Sequence, residues 1–197
     1  YGPQIWMMNH LNVRYQQETA LFDKARLSLA QQFYEESRHD RGYQDTFLRH
    51  REEQVDIYTA NLDLTKKFSD DVQLFYGLQG VYNQVGSEAR RENVFDNTTQ
   101  PAATRYPDGS DYQTYALYAN LEQGVGSDWT FNLGGRYSYV QLNADLTGNA
   151  DFYPLPFDRI DLNTGALNGH AGVVYHPENG WRYRLNASTG FRAPNID

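Results

Sequence analysis

The sequence predicts an all-β chain, a fragment of an antiparallel up-and-down transmembrane β-barrel with about eight strands. Three observations carry that expectation. Apolar residues recur at every second position in successive runs, tight turns alternate with long polar loops between the runs, and aromatic residues mark the ends of the apolar stripes. Period-two alternation means one face of each strand is greasy and the other polar.

The strands can be taken in order. The first runs through Leu11, Val13 and Tyr15, and the second through Leu27, Leu29 and Phe33. Over 19–38 the residues Phe22, Leu29 and Phe33 also fit one face of a helix with Thr19 as its cap, but strand is the reading adopted. The third carries Tyr58, Ala60, Leu62 and Leu64; the fourth carries Leu74, Tyr76, Leu78 and Tyr82. Alternation is clearest in the next two, where Tyr115, Leu117, Ala119 and Leu121, then Trp129, Phe131, Leu133, Gly135, Tyr137 and Tyr139, interleave with polar partners. Leu167, Ala171, Val173 and Tyr175 make the seventh, and Trp181, Tyr183, Leu185 and Ala187 the eighth.

Short connections fall at 22–24, 68–71, 124–128 and 176–180, each rich in turn-forming residues. Long polar loops are expected over 37–51, 87–111 and 143–165. Strict alternation of tight turn and long loop puts all long loops on one side, as in outer-membrane barrels. Trp129 and Trp181 each follow a tight turn on the apolar face, and Tyr137, Tyr139, Tyr175 and Tyr183 lie near stripe ends. A bilayer interface selects such amphipathic rings.

Composition sets outer limits. The chain has 197 residues, 40% hydrophobic, 15% aromatic and 21% charged, which is not a disordered composition. Seventeen basic against twenty-five acidic residues give a formal charge of −8, so a nucleic-acid partner is not expected. Without cysteine there are no disulfides, thiolate metal sites or cysteine nucleophiles. No window approaches the eighteen apolar residues of a spanning helix, a test that barrel strands escape. The chain opens at Tyr1 without a signal-like segment and reads as a piece of something longer.

The final run, Asn186 through Gly190-Phe191-Arg192-Ala193-Pro194-Asn195 to Asp197, resembles a signature of TonB-dependent outer-membrane receptors. The strand bearing Gly134-Gly135-Arg136-Tyr137, the loop after it and the strand bearing Gly172-Val173-Val174-Tyr175 follow in the family's order. A second stretch, Leu29 to Arg41, is similar to strand-and-loop segments of the haem and haemoglobin receptor branch, as is the Phe191-Arg192-Ala193-Pro194 box. The resemblance implies a barrel of about 22 strands holding an N-terminal plug in a Gram-negative outer membrane. It implies import of an iron complex, siderophore or haem, or a similar scarce nutrient, energised by the TonB complex. Residues 1–197 would then be one partial barrel domain with no plug, no TonB box and no closing strand. The implied partners are outer-membrane lipid, the plug and remaining wall, the TonB complex and the transported ligand.

Candidate sites follow from charge and position. The 37–51 loop holds Arg38, His39, Arg41, Arg49, His50 and Arg51 against Asp40 and Asp45, a basic, imidazole-bearing set that could meet an anionic ligand or ligate iron, with Arg38, His39, Arg41 and His50 as the candidate contacts, or could be a solvated loop. Arg136, Arg182, Arg184 and Arg192 could face the lumen or plug, pairing with its carboxylates or with acidic residues of neighbouring strands. Asp108 with Asp111 and Asp158 with Asp161 read as turn residues, so no metal site and no cofactor are expected. No nucleophile, Walker or zinc-protease motif occurs, and no enzyme is expected. Two other classes fit less well: a soluble β-sandwich binding carbohydrate or protein, and a barrel lipid hydrolase, for which His170 and Ser188 lie on the polar face.

Overall fold

The computed structural model describes residues 2–178 and 180–193. The last residues of the resembled signature, from Pro194 on, lie outside the described residues. The eight expected strands are present in one antiparallel sheet: β1 (Gln4–Gln16), β2 (Lys24–Asp40), β3 (Phe47–Lys67), β4 (Val72–Asn93), β6 (Ser110–Val125), β7 (Trp129–Asp145), β8 (Arg159–Tyr175) and β9 (Tyr183–Ser188). A short extra strand, β5 (Thr99–Pro101), pairs with the far end of β4. Neighbours in the sheet are neighbours in sequence, so the wall is a meander, and among the described residues β1 and β9 are not paired.

Residues 19–38 do not form a helix. Strand β2 occupies most of them, and Thr19 stabilises the turn before it, its Oγ1 accepting from Phe22 N at 2.9 Å. The lower connections are tight; in the β6–β7 turn Gly126 takes φ +63°, a conformation costly for any residue with a Cβ. At the turn before β2, Lys66 Nζ bonds Asp23 Oδ1 at 2.6 Å, and this hydrogen bond holds the Asp23 carboxyl below its usual range.

Register places the apolar residues of all strands on one face. Leu11, Leu29 and Ala60 form one row, and Leu62, Leu78, Leu117, Tyr137 and Leu167 another. Burial is inverted relative to a soluble domain. Leu133, Leu167 and Leu185 on this face are 63, 76 and 72% exposed, while Ser28, Glu36, Glu53, Ser87 and Ser110 are buried. A contiguous apolar face of this extent marks an interaction surface.

Aromatic rings bound the band at both ends. At the short-turn end Trp129 stacks on Tyr175 with centroids 4.3 Å apart, and Tyr175, Tyr183 and Trp181 continue the line. At the other end Tyr58 and Tyr82 stand opposite each other, as do Tyr115 and Tyr139. Their hydroxyls reach polar neighbours: Tyr115 donates to Gln113 Oε1 at 2.8 Å and Tyr139 to Asn163 Oδ1 at 3.3 Å. From Trp129 to Tyr139 is about 33 Å along the strand, or about 25 Å in height at a barrel's usual tilt, the thickness of a lipid-facing band.

The strands do not stop at this girdle. β2, β3, β4, β7 and β8 continue past it, so the connections expected over 37–51, 87–111 and 143–165 shrink to 41–46, 94–109 and 146–158. Pairing persists because the backbone ladder continues, but with water or loops on both faces the apolar alternation that reveals a strand is lost.

Candidate functional site: an arginine-lined recess at the long-loop rim

The polar face differs in its two halves. Behind the apolar band it is held mainly by neutral partners, with one charged row of Arg14, Arg26, Asp63 and Arg136 in which the Tyr118 hydroxyl donates to Asp63. His170 Nε2 lies 2.9 Å from Asn120 Oδ1 and 2.7 Å from Asn132 Oδ1, and Ser28 Oγ donates to Asn12 Oδ1 at 2.6 Å. Arg136 bonds Gln79 and Ser138 and lies 5.7 Å from the Tyr118 ring, so its partners are amide, hydroxyl and ring rather than neighbouring-strand carboxylates. Arg184 stands opposite Val174 on the same face, while Arg182 precedes β9 and Arg192 follows it, all three exposed.

Beyond the girdle the polar face becomes charged, and register sets its rows. Glu36, Glu53 and Ser87 share one row across β2, β3 and β4; Arg38, Arg51 and Ala89 share the next; Asp40, Arg49 and Arg91 the one after, continued by Gln100 of β5. Arg49 and Arg91 are therefore direct cross-strand neighbours of like charge, as are Arg38 and Arg51, an arrangement that destabilises a sheet unless an anion sits over it.

Residues 102–109 fold back over this face. Asp108 Oδ1 accepts from Ser87 N at 2.9 Å, Ser87 Oγ from Tyr106 N at 3.4 Å, and Thr104 N donates to Asn149 Oδ1 of the β7–β8 loop at 3.0 Å. The fold-back carries Arg105 toward Glu36 and Glu53. Between sheet and loops lies a recess of about 540 Å³, walled by Arg49, Arg51, Arg91 and Arg105 with Phe152 and Tyr153. His50, between two of these arginines in sequence, borders the recess, but its ring lies on the other face of the sheet, engaged by His39 and Glu92.

The charges are only partly met. Arg38 pairs with Glu36, whose carboxyl is held below its usual range by Arg38 and then by the Tyr34 hydroxyl. Arg51 reaches Asp40 only at 3.8 Å, and Arg91 Nε donates to the neutral Gln100 at 3.0 Å while its guanidinium covers Phe47 at 4.9 Å. Glu53 is 5% exposed, and neither carboxylate oxygen has a hydrogen-bond partner of good geometry. Burial pushes its carboxyl up, a shift that Ser87 and Arg105 only partly offset. Five guanidinium groups thus face three carboxyls, one of which is biased toward its neutral form.

The four rim residues expected to act together are divided. Arg38 lies on the recess side of the sheet opposite Arg51 but outside the recess lining, Arg41 lies in the 41–46 turn, and His39 and His50 pair on the opposite face of the sheet. Arg91, Arg105, Phe152 and Tyr153 were not legible as site residues, because strand register and loop fold-back bring them together. The one linear signal was the two-residue spacing of Arg49 and Arg51. Among the described residues no group of three or more His, Cys, Asp or Glu is placed to hold a metal ion.

A one-sided antiparallel meander with two aromatic girdles and a charged recess at its long-loop end has the features of a β-barrel wall. The family described as "TonB dependent receptor-like, beta-barrel" matches residues 4–197, and the chain belongs to it. That family is one of bacterial outer-membrane transport receptors, not enzymes. Solved structures with the same fold include the copper transporter OprC, at 9% identity and TM-score 0.80 over 96% of this chain. They also include the ferric yersiniabactin uptake receptor FyuA from Yersinia pestis, at 17% identity and TM-score 0.65 over 93%. The ferric citrate transporter FecA in its unliganded form matches at 12% identity and TM-score 0.66 over 94%. The chain spans 30, 27 and 27% of those three chains. No curated protein matches it.

Proposed function

We propose that this segment is a wall and ligand-recognition portion of an outer-membrane receptor that imports an anionic iron complex, a siderophore chelate or haem, energised through TonB. In this reading residues 1–197 are part of one barrel domain. The rest of the wall and a plug complete it, lipid covers the apolar face, and the long-loop rim faces outside. The polar face with Arg136, Arg182, Arg184 and Arg192 lies toward the plug.

The observation that carries the reading is the direct Arg49–Arg91 pairing beside Arg51 and Arg105 in the recess. Guanidinium groups bind carboxylates in bidentate geometry, and a bound polyanion relieves their mutual repulsion. Phe152 and Tyr153 add apolar contact for a ligand body. The three structural neighbours named for transport handle copper, ferric yersiniabactin and ferric citrate, which supports a metal or metal-complex cargo.

The test is binding of carboxylate-rich ferric siderophores and of haem to the full-length receptor in detergent, wild type against an Arg49→Ala, Arg91→Ala variant. Loss of charge-assisted bonds worth about 1.5–3 kcal/mol each should weaken the true ligand by at least tenfold. Equal affinities for every chelate tested would remove the recess from ligand recognition.

A further inference from the structure

The recess uses one face of the β2–β3 rim and leaves the other face without a role. There His39 and His50 stand directly across from each other, ring centroids 4.9 Å apart at 66° and Nδ1 to Nδ1 at 2.8 Å. We propose that this pair is a binding site for a single divalent transition-metal ion of the zinc, copper or nickel class, held by both Nδ1 atoms with water completing the coordination.

Imidazole nitrogen is the donor this class of ion prefers among oxygen and nitrogen side chains. Two neutral imidazoles whose Nδ1 atoms meet must place a proton between them. An ion entering there takes both lone pairs while the His39 proton moves to its Nε2. Metal–nitrogen distances of about 2.0–2.1 Å at a tetrahedral angle set the two nitrogens about 3.3 Å apart. The pair need open by only about half an ångström to reach that spacing, and His39 is exposed and able to turn.

His50 is the better-anchored ligand. Its side chain is 13% exposed, and its other nitrogen, Nε2, is shielded from solvent and lies 3.2 Å from Glu92 Oε2, within reach but without hydrogen-bond geometry. A carboxylate behind a ligating imidazole keeps the distal nitrogen protonated, frees the near one and raises its basicity. The surrounding charge is also suitable. Glu52 and Glu88 occupy the adjoining row of the same face, and Arg90, across from His50, is 3.5 Å from Glu52 Oε1. The carboxylates of this patch outnumber its cation. Both ligands sit on paired strands rather than on a loop, so their separation is fixed by the ladder. With two protein donors and open positions the site is an exchangeable one, and a bound ion ties β2 to β3 at the rim.

The experiment uses the full-length receptor in detergent, stripped with chelator and titrated calorimetrically with Zn²⁺ alone and with Cu²⁺ alone. The double variant His39→Ala, His50→Ala should lose one equivalent of ion. Glu92→Gln should keep that equivalent and weaken it about ten- to hundredfold. Cu²⁺ bound to wild type should show two-nitrogen superhyperfine coupling that the double variant lacks. Unchanged stoichiometry and affinity in the double variant overturn the proposal. Heat-modifiable electrophoretic mobility reports whether each barrel is folded. If the double variant fails that check, His39→Ala alone, at the exposed ring, decides the question: at least tenfold loss supports the site and no change sinks it.

Discussion

The middle of the sheet and its long-loop rim are made of the same strands and obey different rules. In the middle, one face is exposed Leu, Val and Tyr, and the other is mainly Asn, Gln, Ser and His, with Arg14, Arg26, Asp63 and Arg136 sharing one row across it. At the rim both faces are charged. Guanidinium groups gather on one, imidazoles and carboxylates on the other, and folded-back loops supply much of the cover. The strand scaffold is common to both, so the contrast shows that the medium against each face, rather than the backbone, selects the side chains.

The sharpest way to break the comparison is to put the same charge in both regions. Leu133→Arg, mid-band, should destabilise the refolded full-length receptor in liposomes by about 2–4 kcal/mol in urea unfolding. Glu88→Arg, at the rim, should stay within about 0.5 kcal/mol. Equal effects would mean that lipid does not cover the apolar face.

Smaller in size is the matched glycine pair. A methyl at Gly134 collides with the His170 ring and Asn120 Oδ1, whereas one at Gly86 meets Gln54 Cβ at 3.7 Å, an ordinary contact. Gly134→Ala should therefore cost about 1–3 kcal/mol as overpacking, while Gly86→Ala should fall below the resolution of the same unfolding assay. The reverse order would show that the His170 network is slack.

The least effect comes from Glu53. Its carboxyl is raised by burial, so the rim is most favourable below the ordinary carboxylate range and loses stability as pH rises through the raised value. Glu53→Gln removes that loss. Hydrogen exchange over 102–110 should be several-fold slower in the variant at pH 7, and should converge with wild type below about pH 4. Faster exchange at pH 7 would instead mean that the Glu53 carboxylate holds Arg105 in place.

The same contrast explains what could be read from sequence. Around Trp129–Tyr139 and Tyr115–Leu121 one face is apolar and the other polar, so the alternation is written into the residues, and strand order, face and girdles follow from it. Past Tyr58 and Tyr82 neither face needs to be greasy, and paired strand looks like loop. His39 and His50 therefore read as companions of Arg38, although the pleat sends them to the other side. Arg105 and Tyr153 were beyond reach for a different reason: only chain fold-back, which leaves no period in the sequence, carries them to Arg49 and Arg91. The three-residue β5 is too short to show any period at all.

The Arg49-His50-Arg51 triplet makes the rim easy to repurpose. Because consecutive residues there face opposite media, inserting one codon between Arg51 and Tyr58 of β3 forms a bulge that exchanges the two sets, turning the imidazole toward the ligand side and the guanidinium groups outward. A receptor lineage could thus change what its mouth attracts by a frame-preserving insertion, with the spanning ladder below left untouched.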